Sequence, residues 1–132
     1  MKNLITAIAS ILLIMAMFMQ MTANQRTYTK LIAIDQLVNS FKEVAREEGY
    51  ISSSNKSKLI KEISSVTSTP SSDISVSGTS SKVSRGKAIN YRVDVKIGGV
   101  MAAPGFWGLS KKENSGIYTI NQSTTSEYVS GK

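Results

Sequence analysis

The sequence predicts an α+β fold, in which one long N-terminal helix, about residues 3–48, is packed by a small C-terminal antiparallel sheet. Three observations carry this. From Asn3 to Gln25 there is no charged residue, and Leu4 to Met19 is apolar apart from Thr6 and Ser10. No Pro or Gly interrupts the chain before Gly49, although the pattern turns amphipathic on the way. Beyond Gly49 come short alternating runs punctuated by Ser, Thr, Gly and Pro. The first two features are helical, and the third marks strands and turns.

A chain of 132 residues fits one domain. It divides into a hydrophobic helix (1–23), an amphipathic continuation (24–49) and a Ser/Thr-rich connector with a sheet head (50–132). The head holds roughly 80 residues, enough for a small core. The chain has neither cysteine nor histidine. A disulfide framework and thiolate metal sites are thereby excluded. The commonest general base near neutral pH is missing too. The net charge of +7 is uneven. Residues 1–23 carry only Lys2, residues 24–49 balance four basic against four acidic residues, and residues 50–132 hold eleven basic and five acidic ones.

Asn3–Gln25 as a helix is roughly 34 Å long at about 1.5 Å per residue, enough for a ~30 Å hydrocarbon core. Lys2 before an apolar run also has the layout of a secretory signal, and Met21-Thr22-Ala23 fits a cleavage site. The expectation is that the segment is retained. A retained apolar helix must be covered by lipid or by protein. Ala7, Ala9, Ser10 and Ala16 allow close helix approach, and Met15, Met17, Met19 and Met21 fill irregular gaps.

From Tyr28 onward Leu31, Ile34, Val38, Phe41 and Ala45 recur at three- and four-residue steps, widened by Leu37 and Val44. This stripe is the expected seat of the head, with Arg26, Lys30, Asp35, Asn39, Lys42, Glu43 and Arg46 largely off it. Gly49 is a natural C-terminal stop, and Tyr50-Ile51 can fold back onto the last turn.

Residues 51–85 are roughly half Ser and Thr. Within them Asn55–Val66 reads as a short helix capped by Ser54 or Asn55, with Leu59, Ile60, Ile63 and Val66 on one face. Pro70 stops it. Asn55-Lys56-Ser57 and Asn121-Gln122-Ser123 match the N-glycosylation pattern. Asp73–Ser77 alternates as a strand. The clearest strand puts Ile89, Tyr91, Val93, Val95 and Ile97 on one face and Asn90, Arg92, Asp94 and Lys96 on the other. Gly98-Gly99 ends it. Gly116–Ile120 and Thr124–Val129 give two more, separated by Asn121-Gln122-Ser123, for about four strands. The greasy run Val100–Leu109 is either tucked into the edge of the core or used as a subunit contact through Phe106 and Trp107.

No catalytic constellation emerges. Ser57/Lys58 and Ser81/Lys82 lie in polar connector, where a Ser-Lys pair lacks the desolvated lysine it needs. There is no phosphate-cradling loop and no calcium loop. The expectation is no enzyme, cofactor, metal or small-molecule substrate. Arg85, Lys87, Arg92, Lys96, Lys111 and Lys112, with Tyr91 close by, form a candidate contact for DNA or another polyanion.

The order of apolar helix, amphipathic half, connector and antiparallel sheet resembles the type IV pilin class. More closely, it is similar to the small pilin-like proteins of Gram-positive conjugative elements, related in layout to TadE-like pseudopilins. The stretches that carry the likeness are LVNSFKEVAREEGYIS, KLIKEI, INYRVDVKIGG and PGFWGLS. The resemblance implies a lollipop-shaped structural subunit that polymerises through its N-terminal helix. Its filament core would be packed by Leu4, Ile8, Ala9, Ile11, Leu12, Met15, Ala16, Phe18 and Met19. Partners would be further copies of the chain, the cytoplasmic (inner) membrane before assembly, pilus assembly machinery and, as a candidate, DNA. The destination would be a cell-surface filament. Where that class carries an early helix glutamate, this chain has Asn3, Leu4, Ile5 and Thr6, and its first acidic residue is Asp35. Docking is therefore expected by apolar packing. The same residues also fit a single-pass membrane-anchored surface protein whose basic head binds protein or DNA.

Overall fold

A computed structural model describes residues 1–131. One helix, α1, runs unbroken from Lys2 to Glu48 over 47 residues, roughly 70 Å at about 1.5 Å per residue. Gly49 ends it in the left-handed conformation, φ 77°, and its N–H donates to the Ala45 carbonyl at 2.9 Å. A side chain there would be both strained and crowded: a Cβ would lie 2.7 Å from Tyr128 Cβ and 2.8 Å from the Val83 carbonyl oxygen.

The second helix, α2, spans Ser53–Thr67. It begins ahead of the expected Asn55, and the cap is Ser52, whose Oγ accepts from the Asn55 N–H at 3.2 Å. A row of serines offers several equivalent caps. Burial of Ile51 just upstream fixes which one is used. Leu59 and Ile63 are buried and Ile60 packs beside them. Val66, expected on the same face, is 53% exposed, and Thr67 takes the buried place. The i+4 row of Leu59, Ile63 and Thr67 points inward, and the Thr67 hydroxyl is satisfied by the Ile63 carbonyl at 2.7 Å.

Strands β1 (Ile74–Gly78), β2 (Ala88–Gly98) and β3 (Ser115–Thr125) form an antiparallel sheet in the order β1-β2-β3. The alternation predicts four strands, but three form. Asn121-Gln122-Ser123 does not turn; it pairs with Arg92, Tyr91 and Asn90 in the middle of β3. Asn and Ser suit a turn, but no Gly or Pro among these residues forces one. A long β2 offers their backbone a full ladder, and the Tyr91 hydroxyl donates to Gln122 Oε1 at 3.0 Å.

The sheet lays Ile89, Tyr91, Val93, Val95 and Ile97 over the C-terminal half of α1 and over α2, where they bury Ile34, Val38, Phe41, Ala45, Ile51, Leu59 and Ile63. Phe41 meets Tyr91 edge to face at 6.3 Å. The Ser/Thr-rich stretch is not an open connector. Ile51 N–H donates to Thr79 O at 2.8 Å, Val83 N–H to Gly49 O at 2.9 Å, and Ser126 Oγ to Val83 O at 2.9 Å.

Candidate functional site

The candidate functional surface is the apolar half of α1, which the fold leaves uncovered. Leu4, Ile8, Ala9, Ile11, Leu12, Met15, Phe18 and Met19 are exposed, and Ala16 is half-buried. Leu12 is 61% and Phe18 65% exposed. The few hydroxyls here turn back onto their own helix: Thr6 donates to Lys2 O at 3.0 Å, Ser10 to Thr6 O at 2.8 Å and Thr22 to Phe18 O at 3.1 Å. The surface therefore presents apolar atoms with its side-chain donors already satisfied.

The C-terminal half of the same helix is the opposite. Ile34, Val38, Phe41 and Ala45 are buried beneath the sheet, with Leu31 and Leu37 packed partly buried against them. Arg46 pairs with Glu127, beyond β3, and with Glu43 on its own helix. Those two carboxylates, Glu127 first, hold its guanidinium above the usual arginine range. The Tyr118 hydroxyl of β3 donates to Asp35 Oδ1 at 2.8 Å, and that bond is the main cause raising the phenol above its ordinary value.

The Val100–Leu109 run is neither at the core edge nor free in solution. The hairpin between β2 and β3 extends past the sheet and lies along the apolar half of α1. Two amides hold it. Gln20 donates from Nε2 to Val100 O at 3.2 Å and accepts from the Ala102 N–H at 3.0 Å. Asn114 is buried, accepting from Met101 N–H at 2.6 Å and donating to Met101 O at 2.9 Å. Pro104–Trp107 forms one 3-10 turn at the tip. Phe106 and Trp107 stack edge to face at 5.2 Å, yet remain 78% and 56% exposed. With Ala9, Leu12, Ala16 and Met19 they border an open apolar hollow of about 500 Å³. Gln20 and Asn114 went unremarked in the sequence. Gln20 carried a local signal, as an amide inside an apolar run, whereas Asn114 sits in the polar stretch 110–116 and carried none.

The candidate polyanion residues do not form one patch. Arg85 and Lys87 precede or open the approach to β2, Arg92 and Lys96 lie on its outer face, and Lys111 and Lys112 sit at the far hairpin. At about 3.3 Å per residue, β2 alone separates the two ends by roughly 33 Å. Arg92 is paired with Asp94 at 2.8 Å. That bond first, then the Thr119 hydroxyl at 2.6 Å, pulls the Asp94 carboxyl below its ordinary value. Tyr91 belongs to the core, not to this surface: it is on the opposite face of β2 and buried. Its phenol is raised chiefly by that burial, with Glu43 adding. Of the two glycosylation patterns, Asn55 is engaged through its amide nitrogen with Glu48 at 2.7 Å, whereas Asn121 is exposed on β3.

Comparison with protein-family models, curated proteins and solved structures finds no match to the chain.

Proposed function

We propose that this protein is the structural subunit of an extracellular type IV pilus-like filament, polymerising through its N-terminal hydrophobic helix. One observation carries the reading. The exposed apolar half of α1 is an unbroken continuation of a helix held in the head by a buried stripe. Such a spike cannot stay in water, and it is rigidly joined to a polar, basic head that can.

In this scheme the cytoplasmic membrane solvates residues 4–23 of the unassembled subunit. Assembly machinery then exchanges lipid for neighbouring helices. Because lipid is as apolar as the helix, the gain comes from close packing at small residues such as Ala9 and Ala16 rather than from removal of surface from water. One heterologous contact repeated without closure builds a helical filament, with the Ser/Thr-rich heads outside.

The test is Ala9→Glu and Ala16→Glu in cells, read by negative-stain microscopy of sheared surface material labelled with an antibody to the head. The expected result is loss of filaments with full retention of folded head in membranes. Normal filaments from both variants would remove the core assignment.

The second reading, a single-pass anchored surface protein whose head binds protein or DNA, is favoured by the length of the uncharged run, which matches one bilayer crossing. It predicts head antigen confined to membranes in the unmodified strain.

A further inference from the structure

Residues 97–110 carry no charge, like Asn3–Gln25 of α1. The two uncharged stretches are far apart in sequence, yet the fold lays one along the other through the Gln20 contacts. Charge resumes at one shared level on both. On α1 it resumes at Arg26 and Lys30, which face the hairpin across open hollows bordered by Gly98, Gly99 and Met101. On the hairpin it resumes at Lys96 before and at Lys111 and Lys112 after. The last two are held near Gly99, because Asn114 N–H donates to Ser110 O and Gly99 N–H donates to Asn114 O, each at 3.0 Å. Glu113 is the acidic residue of this ring, and its carboxylate accepts from the Ser110 N–H at 2.9 Å.

Beyond that level several of the hairpin's backbone donors find partners within the chain. Met101 donates to Asn114 Oδ1 and Ala102 to Gln20 Oε1. Phe106 donates to Ala103 O, Gly108 to Gly105 O and Leu109 to Pro104 O. Irregular backbone at membrane depth is tolerated only where its polar groups find partners in the protein. Ala16 and Ala9, which flank the aromatic tip, lie roughly 6 and 16 Å along the helix from Gln20 at about 1.5 Å per residue, the depth of one leaflet.

We infer that the β2–β3 hairpin is a second membrane contact of the unassembled subunit. Phe106 and Trp107 enter the head-side leaflet beside α1, and Arg26, Lys30, Lys96, Lys111 and Lys112 sit among anionic lipid headgroups. The occupant is lipid because the uncharged surface is continuous with the apolar half of α1 and is bounded by a basic ring complementary to such headgroups. Tryptophan, an apolar ring with one N–H donor, is enriched toward the interfacial side of a leaflet, and Phe106 adds apolar area beside it. The inference rests on the part of the proposed function that places residues 4–23 in a membrane, and does not depend on filament formation.

The chain has a single tryptophan, so its fluorescence reports the hairpin alone. The full chain is reconstituted in phosphatidylcholine vesicles with and without phosphatidylglycerol. Brominated acyl chains serve as the bilayer quencher and iodide as the aqueous one. The expected result is a blue-shifted Trp107 emission, quenched by the acyl bromines, shielded from iodide, and quenched more strongly when phosphatidylglycerol is present. A parallel variant, Trp107→Phe with Phe18→Trp, reports α1 itself. Quenching of Trp at position 18 by bromines, together with a Trp107 open to iodide, would overturn the hairpin inference and leave the helix in the membrane. Failure of bromines to reach position 18 would remove the membrane placement that both rest on. A shielded Trp107 untouched by bromines would assign the hairpin to a neighbouring copy instead. Equal quenching in the two lipid mixtures would remove the headgroup role of the basic ring.

Discussion

The two halves of α1 share one backbone and meet opposite surroundings. The N-terminal half is apolar on every side and exposed, with its hydroxyls folded onto its own carbonyls. The C-terminal half is amphipathic and buries one stripe under the sheet. The difference teaches which part of a helix a protein needs for folding and which for something else. Side chains of the second half are matched to partners in the same chain. Side chains of the first half are matched to none of the head's core elements, so an apolar environment must come from outside.

The sharpest way to break this comparison is a pair of equal truncations. Phe41→Ala is expected to cost the head about 3–5 kcal/mol through lost burial and a cavity against Tyr91. Phe18→Ala should change head stability by less than ~0.5 kcal/mol. Chemical unfolding of the full chain in detergent micelles measures both, and similar losses would mean that the halves are not energetically separate. A smaller effect tests the joint where α1 is handed over to the head. Gly49→Ala is expected to cost about 1–2 kcal/mol or more from the left-handed backbone, with the clash at Tyr128 and Val83 added. Unchanged urea midpoints would show that this stop does not need a glycine.

The smallest effect concerns the outer face of the sheet. The Asp94 carboxyl is held below its ordinary value of 3.8 by Arg92 and Thr119. A depressed carboxyl stabilises the fold at pH above its unfolded value and loses that contribution as pH falls through 3.8 toward the lower folded value. A modest acid-side loss, absent in Asp94→Asn, is therefore expected in pH-dependent unfolding of the head. Because the pair is exposed, salt should weaken it further. An identical acid limb in the variant would show that the pairing does not contribute.

Much of this architecture was legible because it rests on local pattern. The unbroken run to Gly49 could only be helix, and the stripe Ile34, Val38, Phe41 and Ala45 identified its own buried face. The five-fold alternation around Val93 marked β2 and its core side. Errors fell where several local choices were nearly equal. Serines at 52, 53 and 54 are equivalent caps until Ile51 is docked. Asn121-Gln122-Ser123 is an acceptable turn until β2 offers it a ladder. Tyr91 looked available to a basic surface, although its place in the alternation already put it inside.

The candidate site was half legible. The nine apolar residues expected to be covered by neighbours were plain from composition. The hairpin's position was not, since nothing local states that residues 100–109 lie along residues 9–20. That juxtaposition needs the antiparallel run of β2 against α1, which aims the hairpin back toward the N-terminus, and the amides Gln20 and Asn114 to hold it there.

By itself, then, the sequence determined the elements and their faces. Periodicity and hydrogen-bonding chemistry act over a few residues and are written residue by residue. Tertiary structure alone decided where Phe106 and Trp107 sit, which serine caps α2, and that the charges of α1 and of the hairpin begin at one level. Those outcomes depend on contacts between residues scores of positions apart, and such contacts exist only once the sheet has packed on the helix.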